Sequence, residues 1–213
     1  MPSGGRSAPA PVGVSKERLQ ALSDGVFAIA ITLLVLTIAQ PTDYRHLARQ
    51  MGDRWPDLAA YLVSFAIIGI MWLNHHTIFA YLDRIDRGLF YCNLVLLMTI
   101  VFIPYPTGIF GQALRLSQGA RTAAIIYSAT MIVNSGAWAA LWLYSSIGRR
   151  LLHQRFPEGQ RAAANVLFPG GVLVYLIALG VAFINPYACL GFHAVIAVYY
   201  AFDPIARAVS RSE

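Results

Sequence analysis

Six polar residues set among apolar ones are where this chain can do chemistry. Arg18, Ser23 and Asp24 stand in RLQALSDG, at the head of an almost unbroken apolar run that ends at Ala39. Trp72, His75 and His76 stand in WLNHHT, at the polar end of a second apolar run. A carboxylate and two imidazoles can carry protons, and together with a hydroxyl and an indole they can tie one helix to another. Arg18 and Asp24 are six residues apart, between one and two helical turns, so they do not form an i,i+4 pair on one face. Arg18 either snorkels to lipid headgroups or joins a buried polar network linking the first helix to others, since ionisable residues inside a membrane face protein or water. Ser23 and Asp24 can cap the helix by accepting free N–H groups, with Gly25 easing close packing. Adjacent histidines point about 100° apart on a helix, so a metal site is not expected. Inter-helix hydrogen bonds from the histidines to Ser23, Asp24 or backbone are the favoured reading. His193, alone in the last apolar run, reads as a packing residue. No Ser/His/Asp order, HExxH or carboxylate pair stands out, so neither catalytic residues nor a cofactor is expected.

A second set of residues forms a stripe. Ile29, Leu33 and Leu36 fall at i, i+4 and i+7 and share one helix face, with Thr32 at its border. Inside a single bundle such a stripe is simply core. If several copies of this helix met on a symmetry axis, the arrangement usual for homo-oligomers, the stripe would become a narrow apolar ring. Such a ring gates by dewetting, and Thr32 hydroxyls or backbone carbonyls can replace part of an ion's hydration. No TVGYG-type filter is present in the sequence.

The elements that must position these residues follow from composition. The 213 residues are 57% hydrophobic and 12% charged, with a mean hydropathy of +0.57. Soluble domains carry about 25% charged residues. An all-α polytopic membrane protein of six transmembrane helices is therefore expected, with the lipid bilayer as its partner. The net charge of +6 is spread between apolar runs, where the positive-inside rule places it, so nucleic acid is not expected to bind. Cys92 and Cys189 lie inside apolar runs and read as small buried hydrophobes.

Residues 1–15 are Pro/Gly/Ser/Ala-rich and read as a disordered tail, not a signal peptide. Residues 16–208 form one transmembrane domain, and 209–213 a C-terminal tail. The first helix, Arg18–Ala39, is roughly 33 Å long, close to the roughly 30 Å of bilayer hydrocarbon. A short interfacial helix is expected at Tyr44–Arg54. The later spans are expected at Asp57–Leu82, Gly88–Ile103, Thr122–Ile147, Ala164–Ile184 and Tyr187–Ala208. Pro104 and Pro106 are expected to make PYPTG an irregular exit, and Pro169 to kink the fifth span. Arg6, Lys16, Arg18, Arg84, Arg87, Arg149, Arg150, Arg155, Arg161, Arg207 and Arg211 then fall on one side. Arg45, Arg49, Arg54, Arg115 and Arg121 fall on the other. This asymmetry predicts a cell-membrane protein with both termini in the cytoplasm.

Arg18-x-x-x-Leu22-Ser23-Asp24-Gly25, followed by VFAIAITLLVL, resembles the RxxxFSDG signature that opens the lysosomal potassium channel family and its bacterial homologues, with Leu22 in place of Phe. Trp72-x-x-His75-His76 also resembles that family. The resemblance implies a homotetramer of six-helix subunits in which the first helices line the pore and potassium ions pass without a selectivity loop. It implies a pore face of Ile29, Thr32, Leu33 and Leu36. It also implies a structural polar network of Arg18, Ser23 and Asp24 with Trp72 and His75 or His76. The function expected is a potassium-permeable, leak-type cation channel. The alternatives are a proton-coupled transporter using Asp24, His75 or His76, and an assembly protein without flux.

Overall fold

The computed structural model describes residues 15–42, 44–147, 151–153 and 158–201. Helix α1, Lys16–Leu33, is started by Ser15, whose hydroxyl accepts the Arg18 N–H at 3.4 Å. Ser23 and Asp24 therefore lie two turns inside α1 and do not cap it, because at that depth the backbone N–H groups are already used. After Leu33 the helix tightens into a 3-10 turn, Leu34–Thr37, and Ile38 is extended. The expected uninterrupted helix to Ala39 thus stops early. The Thr37 hydroxyl donates to the Leu34 carbonyl at 2.7 Å and satisfies one of the terminal acceptors. A 3-10 turn, Tyr44–His46, and a short helix α2, Leu47–Asp53, fill the place of the interfacial helix. Helix α3, Trp55–Ala80, carries Pro56 in its first turn, where a missing N–H breaks no bond.

The PYPTG segment differs from expectation. Helix α4, Arg87–Phe102, passes through Ile103, itself in helical conformation, straight into helix α5, Pro104–Leu116. Pro104 and Pro106 both fall in the first turn of α5, the one stretch of a helix that tolerates proline. The two helices form a single 30-residue apolar stretch, Arg87–Leu116. Arg115 accordingly sits in the last turn of α5 rather than in a loop. Ser117, at φ 53°, ends α5 in the left-handed region, a common helix stop.

Helix α6, Ala120–Ser146, follows. Helix α7, Glu158–Ile184, begins before the expected Ala164 and carries Pro169 within it. Asn185 caps helix α8, Pro186–Ala201, its Oδ1 accepting the N–H groups of Tyr187 at 2.8 Å and Ala188 at 3.1 Å. The expected continuation to Ala208 lies outside the described residues. So do residues 1–14 and 209–213, and Arg149, Arg150 and Arg155 of the basic loop.

Among the described residues, five helical stretches are long and apolar enough to cross a membrane, and α8 is a shorter apolar helix. Helix α6 is the hub, packed on α4, α5, α7 and α8, while α1 leans on α3 and α4 and its 3-10 end on α5. Phe27, Phe79, Leu96, Phe110 and Tyr127 are fully buried between these helices.

Candidate pore helix and its polar anchorage

Helix α1 has two unlike faces. Leu19, Ser23, Phe27, Ala30 and Leu34 are buried against α3 and α4. The spacing of 4, 4, 3 and 4 residues is that of one helical stripe. The other face is open: Ile29 is 56% exposed, Leu33 37% and Leu36 76%, and Thr32 is exposed beside them. The reading of this stripe as the core of a single bundle is therefore overturned: α3 and α4 occupy only one side of α1. Leu36 stays in line with Leu33 because residues three apart eclipse in a 3-10 turn. The Thr32 hydroxyl donates to the Ile29 carbonyl at 2.9 Å.

Behind the buried face runs a one-way chain of hydrogen bonds. The Ser23 hydroxyl donates to the Leu19 carbonyl at 2.9 Å. Its oxygen is then free to accept from Asn93 Nδ2 on α4, at 3.0 Å. This fixes the Asn93 amide, whose Oδ1 faces His75 Nε2 on α3 at 2.9 Å, so His75 carries a proton on Nε2 and donates it. His75 is 1% exposed. It stacks on Phe79 at 4.1 Å and meets the edge of Phe27 at 5.5 Å. Three helices are thus joined through one imidazole, one amide and one hydroxyl. Burying these groups unpaired would cost about 1–3 kcal/mol each.

Asp24 stands apart from this chain. It is exposed on α1 and accepts from Trp72 Nε1 at 2.8 Å. His76, exposed as well, tilts against the Trp72 ring at 6.1 Å. The two histidines have separate fates, His75 inward and His76 outward, as their helical offset requires. Arg18 is exposed and takes no part in the chain from Leu19 to His75. Gly25 faces open space, so it eases no close packing within this chain. Leu22, at the position of the signature's Phe, is 46% exposed on the same open side. Asn93 escaped the sequence reading altogether. An asparagine inside an apolar run was the available signal, since membrane helices use such side chains to bond across to neighbours.

The other end of α1 is held by backbone carbonyls. Arg54 is buried. Its guanidinium donates to the carbonyl of Ala39 and, at 2.7 Å, to that of Gln40. Asp57, in the first turn of α3, is buried and accepts from Arg115 Nε at 2.7 Å. Two glycines of α5 permit this closeness. A Cβ on Gly108 would fall 2.9 Å from Thr37 Cβ, and one on Gly111 would fall 2.8 Å from Asp57 Cα. Among the described residues, no group of three or more His, Cys, Asp or Glu side chains could hold a metal ion.

Comparison with known proteins agrees with this architecture. The pattern of the endosomal/lysosomal potassium channel TMEM175 matches residues 18–104. A potassium channel of Streptomyces collinus is 40% identical over 190 residues, 88% of this chain and 92% of its own. The crystal structure of a lysosomal potassium-selective channel TMEM175 homolog from Chamaesiphon minutus superposes with a TM-score of 0.79 at 35% identity, covering 88% of this chain and 96% of that one. The rat endosomal/lysosomal proton channel TMEM175 is 31% identical over 157 residues, 67% of this chain but 30% of its own length. A multi-pass helical bundle with these relatives is a membrane ion channel and not an enzyme. The chain belongs to the TMEM175 potassium channel family.

Proposed function

We propose that this protein conducts potassium through a pore that four copies of α1 enclose. The observation that carries the reading is the open face of α1, where Ile29, Leu33 and Leu36 are exposed away from the buried stripe and share that open side with the polar Asp24 and Thr32. Two of the relatives are named as potassium channels, which supports potassium as the permeant ion. Ile29, Leu33 and Leu36 form the apolar constriction, and water leaves such a constriction readily. The Thr32 hydroxyl spends its proton on the Ile29 carbonyl. Its oxygen therefore meets the pore as an acceptor, the polarity a cation needs. Ser23, Asn93 and His75, with Trp72 on Asp24, hold α1 in place and do not touch the ion, and Arg18 faces the headgroups. The excess of basic residues on the side of the N-terminus supports a cytoplasmic location for both termini in the cell membrane.

Currents from the purified protein in planar bilayers, with potassium on one side and sodium on the other, test this reading. Discrete openings with a reversal potential favouring potassium are expected, and Ile29→Ala and Leu33→Ala should raise conductance or weaken the preference for potassium. Unchanged currents in both variants would remove α1 from the pore.

A further inference from the structure

A second candidate site lies away from α1. A cavity of about 70 Å³ opens between α3, α6, α7 and α8, walled by Met71, Asn134, Ser135, Trp138, Phe168 and Tyr200, among others. One water needs roughly 10–15 Å³, so the space is several times that of a single solvent molecule. Its shape is kept by Gly171, where an added Cβ would fall 2.8 Å from Ser135 Oγ.

Asn134 supplies the chemistry. It is fully buried. Its Nδ2 donates to Thr99 Oγ1 at 2.8 Å, and the Thr99 hydroxyl spends its own proton on the Leu96 carbonyl at 2.7 Å. Thr99 can only accept from Asn134, so the amide cannot be turned over. Asn134 Oδ1 is left as a buried acceptor with no partner among the described residues. Such an orphan is costly, and because Asn134 forms part of the cavity wall, an O–H donor that reaches its amide oxygen from the cavity would satisfy it. The remaining wall is mainly apolar. The rings of Trp138 and Phe168 are stacked at 6.2 Å, with Met71 beside them. None of the lining residues carries a formal charge, which disfavours an ionic ligand. Water alone would satisfy the amide but leave the aromatic part of the wall wet, whereas a ligand with a hydroxyl and an alkyl body covers both.

We propose that this cavity binds a neutral alcohol, with the hydroxyl donating to Asn134 Oδ1 and the alkyl body lying on Met71, Trp138 and Phe168. The site is independent of the pore reading. Photolabelling of the full chain in lipid nanodiscs with a diazirine-bearing octanol, followed by peptide mass spectrometry, tests it. Label is expected to concentrate on the segments carrying Met71 and Phe168. Octanol should compete it away, while heptyl methyl ether, which has a comparable body but no donor, should compete at least about fivefold less well. Asn134→Leu should lower the labelling by a similar factor. Ala197→Phe, which fills the cavity from α8 without touching the Asn134–Thr99 bond, should remove it. Label scattered over lipid-facing Val133 and Leu173, equal competition by the ether, or labelling unchanged in both variants would overturn the proposal.

Discussion

Among the described residues, helices α1 and α7 are the two least enclosed spans, with 28% and 22% of their most apolar windows buried. Each shows a long apolar face to its surroundings. On α7 that face is Val166, Leu173, Leu176, Ile177, Phe183 and Ile184, with Gly180 among them and the exposed Asn165 only at its head. On α1 the apolar side chains share the open side with Asp24, Gly25 and Thr32. The two helices also differ in how they are held. Among the described residues, helix α7 is held by the bond from Trp142 Nε1 to Asn165 Oδ1 at 2.8 Å and by a weak one from the Cys189 thiol to the Ala178 carbonyl at 3.6 Å, whereas α1 is tied through Ser23 and Asn93 at one end and Arg54 at the other. Exposure of apolar surface therefore does not identify a pore in a membrane protein, because lipid covers such surface at no penalty. Polar groups on the open face, with rigid support behind it, are what set α1 apart from α7 and favour α1 in the proposed pore.

The comparison breaks most directly on a charge. Leu173→Lys places an ammonium in hydrocarbon on α7 and should cost about 3 kcal/mol, seen as loss of folded protein from the membrane fraction. Leu36→Lys places the same charge on the open face of α1. It should leave folded protein at wild-type yield while suppressing cation currents. Equal loss in both variants would mean that lipid covers α1 as it covers α7.

The next effect concerns support. Asn93→Leu strands the His75 N–H and removes the donor to Ser23, and should destabilise the protein by about 2 kcal/mol. Asn165→Leu removes the partly exposed tie of α7 and should cost less than about 1 kcal/mol. Thermal unfolding of the two variants side by side measures the difference. The smallest effect is expected for Trp72→Phe, which keeps the ring and loses only the bond to exposed Asp24. A change below about 1 kcal/mol is expected in the same assay, and a larger one would place Asp24 among the principal supports.

Much of the helical layout was legible because long apolar runs separated by charged or Asn-Pro segments allow few other solutions. The polar residues near the head of α1 and the end of α3 were legible as a group, since each interrupts a run. Their wiring was not. Asn93 sits in GLFYCNLVLLMTIVF with no spacing partner, and its position between Ser23 and His75 depends on how α4 packs against α1 and α3. The α1 stripe carried the opposite difficulty. Its periodicity gives a face but not what lies opposite, and only the packing shows α3 and α4 on the other side. Pro104 and Pro106 misled because proline marks a boundary without saying whether a helix ends or begins there, and here Ile103 remains helical so that both happen at once.

The joined α4–α5 stretch has one more consequence. Thirty residues rise about 45 Å, against about 30 Å of hydrocarbon. Such a rod tilts or holds its ends among the headgroups, and the balance shifts with bilayer thickness. Its far end carries Gly108 against Thr37 and Arg115 against Asp57, at the 3-10 end of α1. Lipids with shorter or longer chains therefore push on the last turn of α1 through a stiff lever, and two prolines that failed to break a helix make membrane thickness a mechanical input.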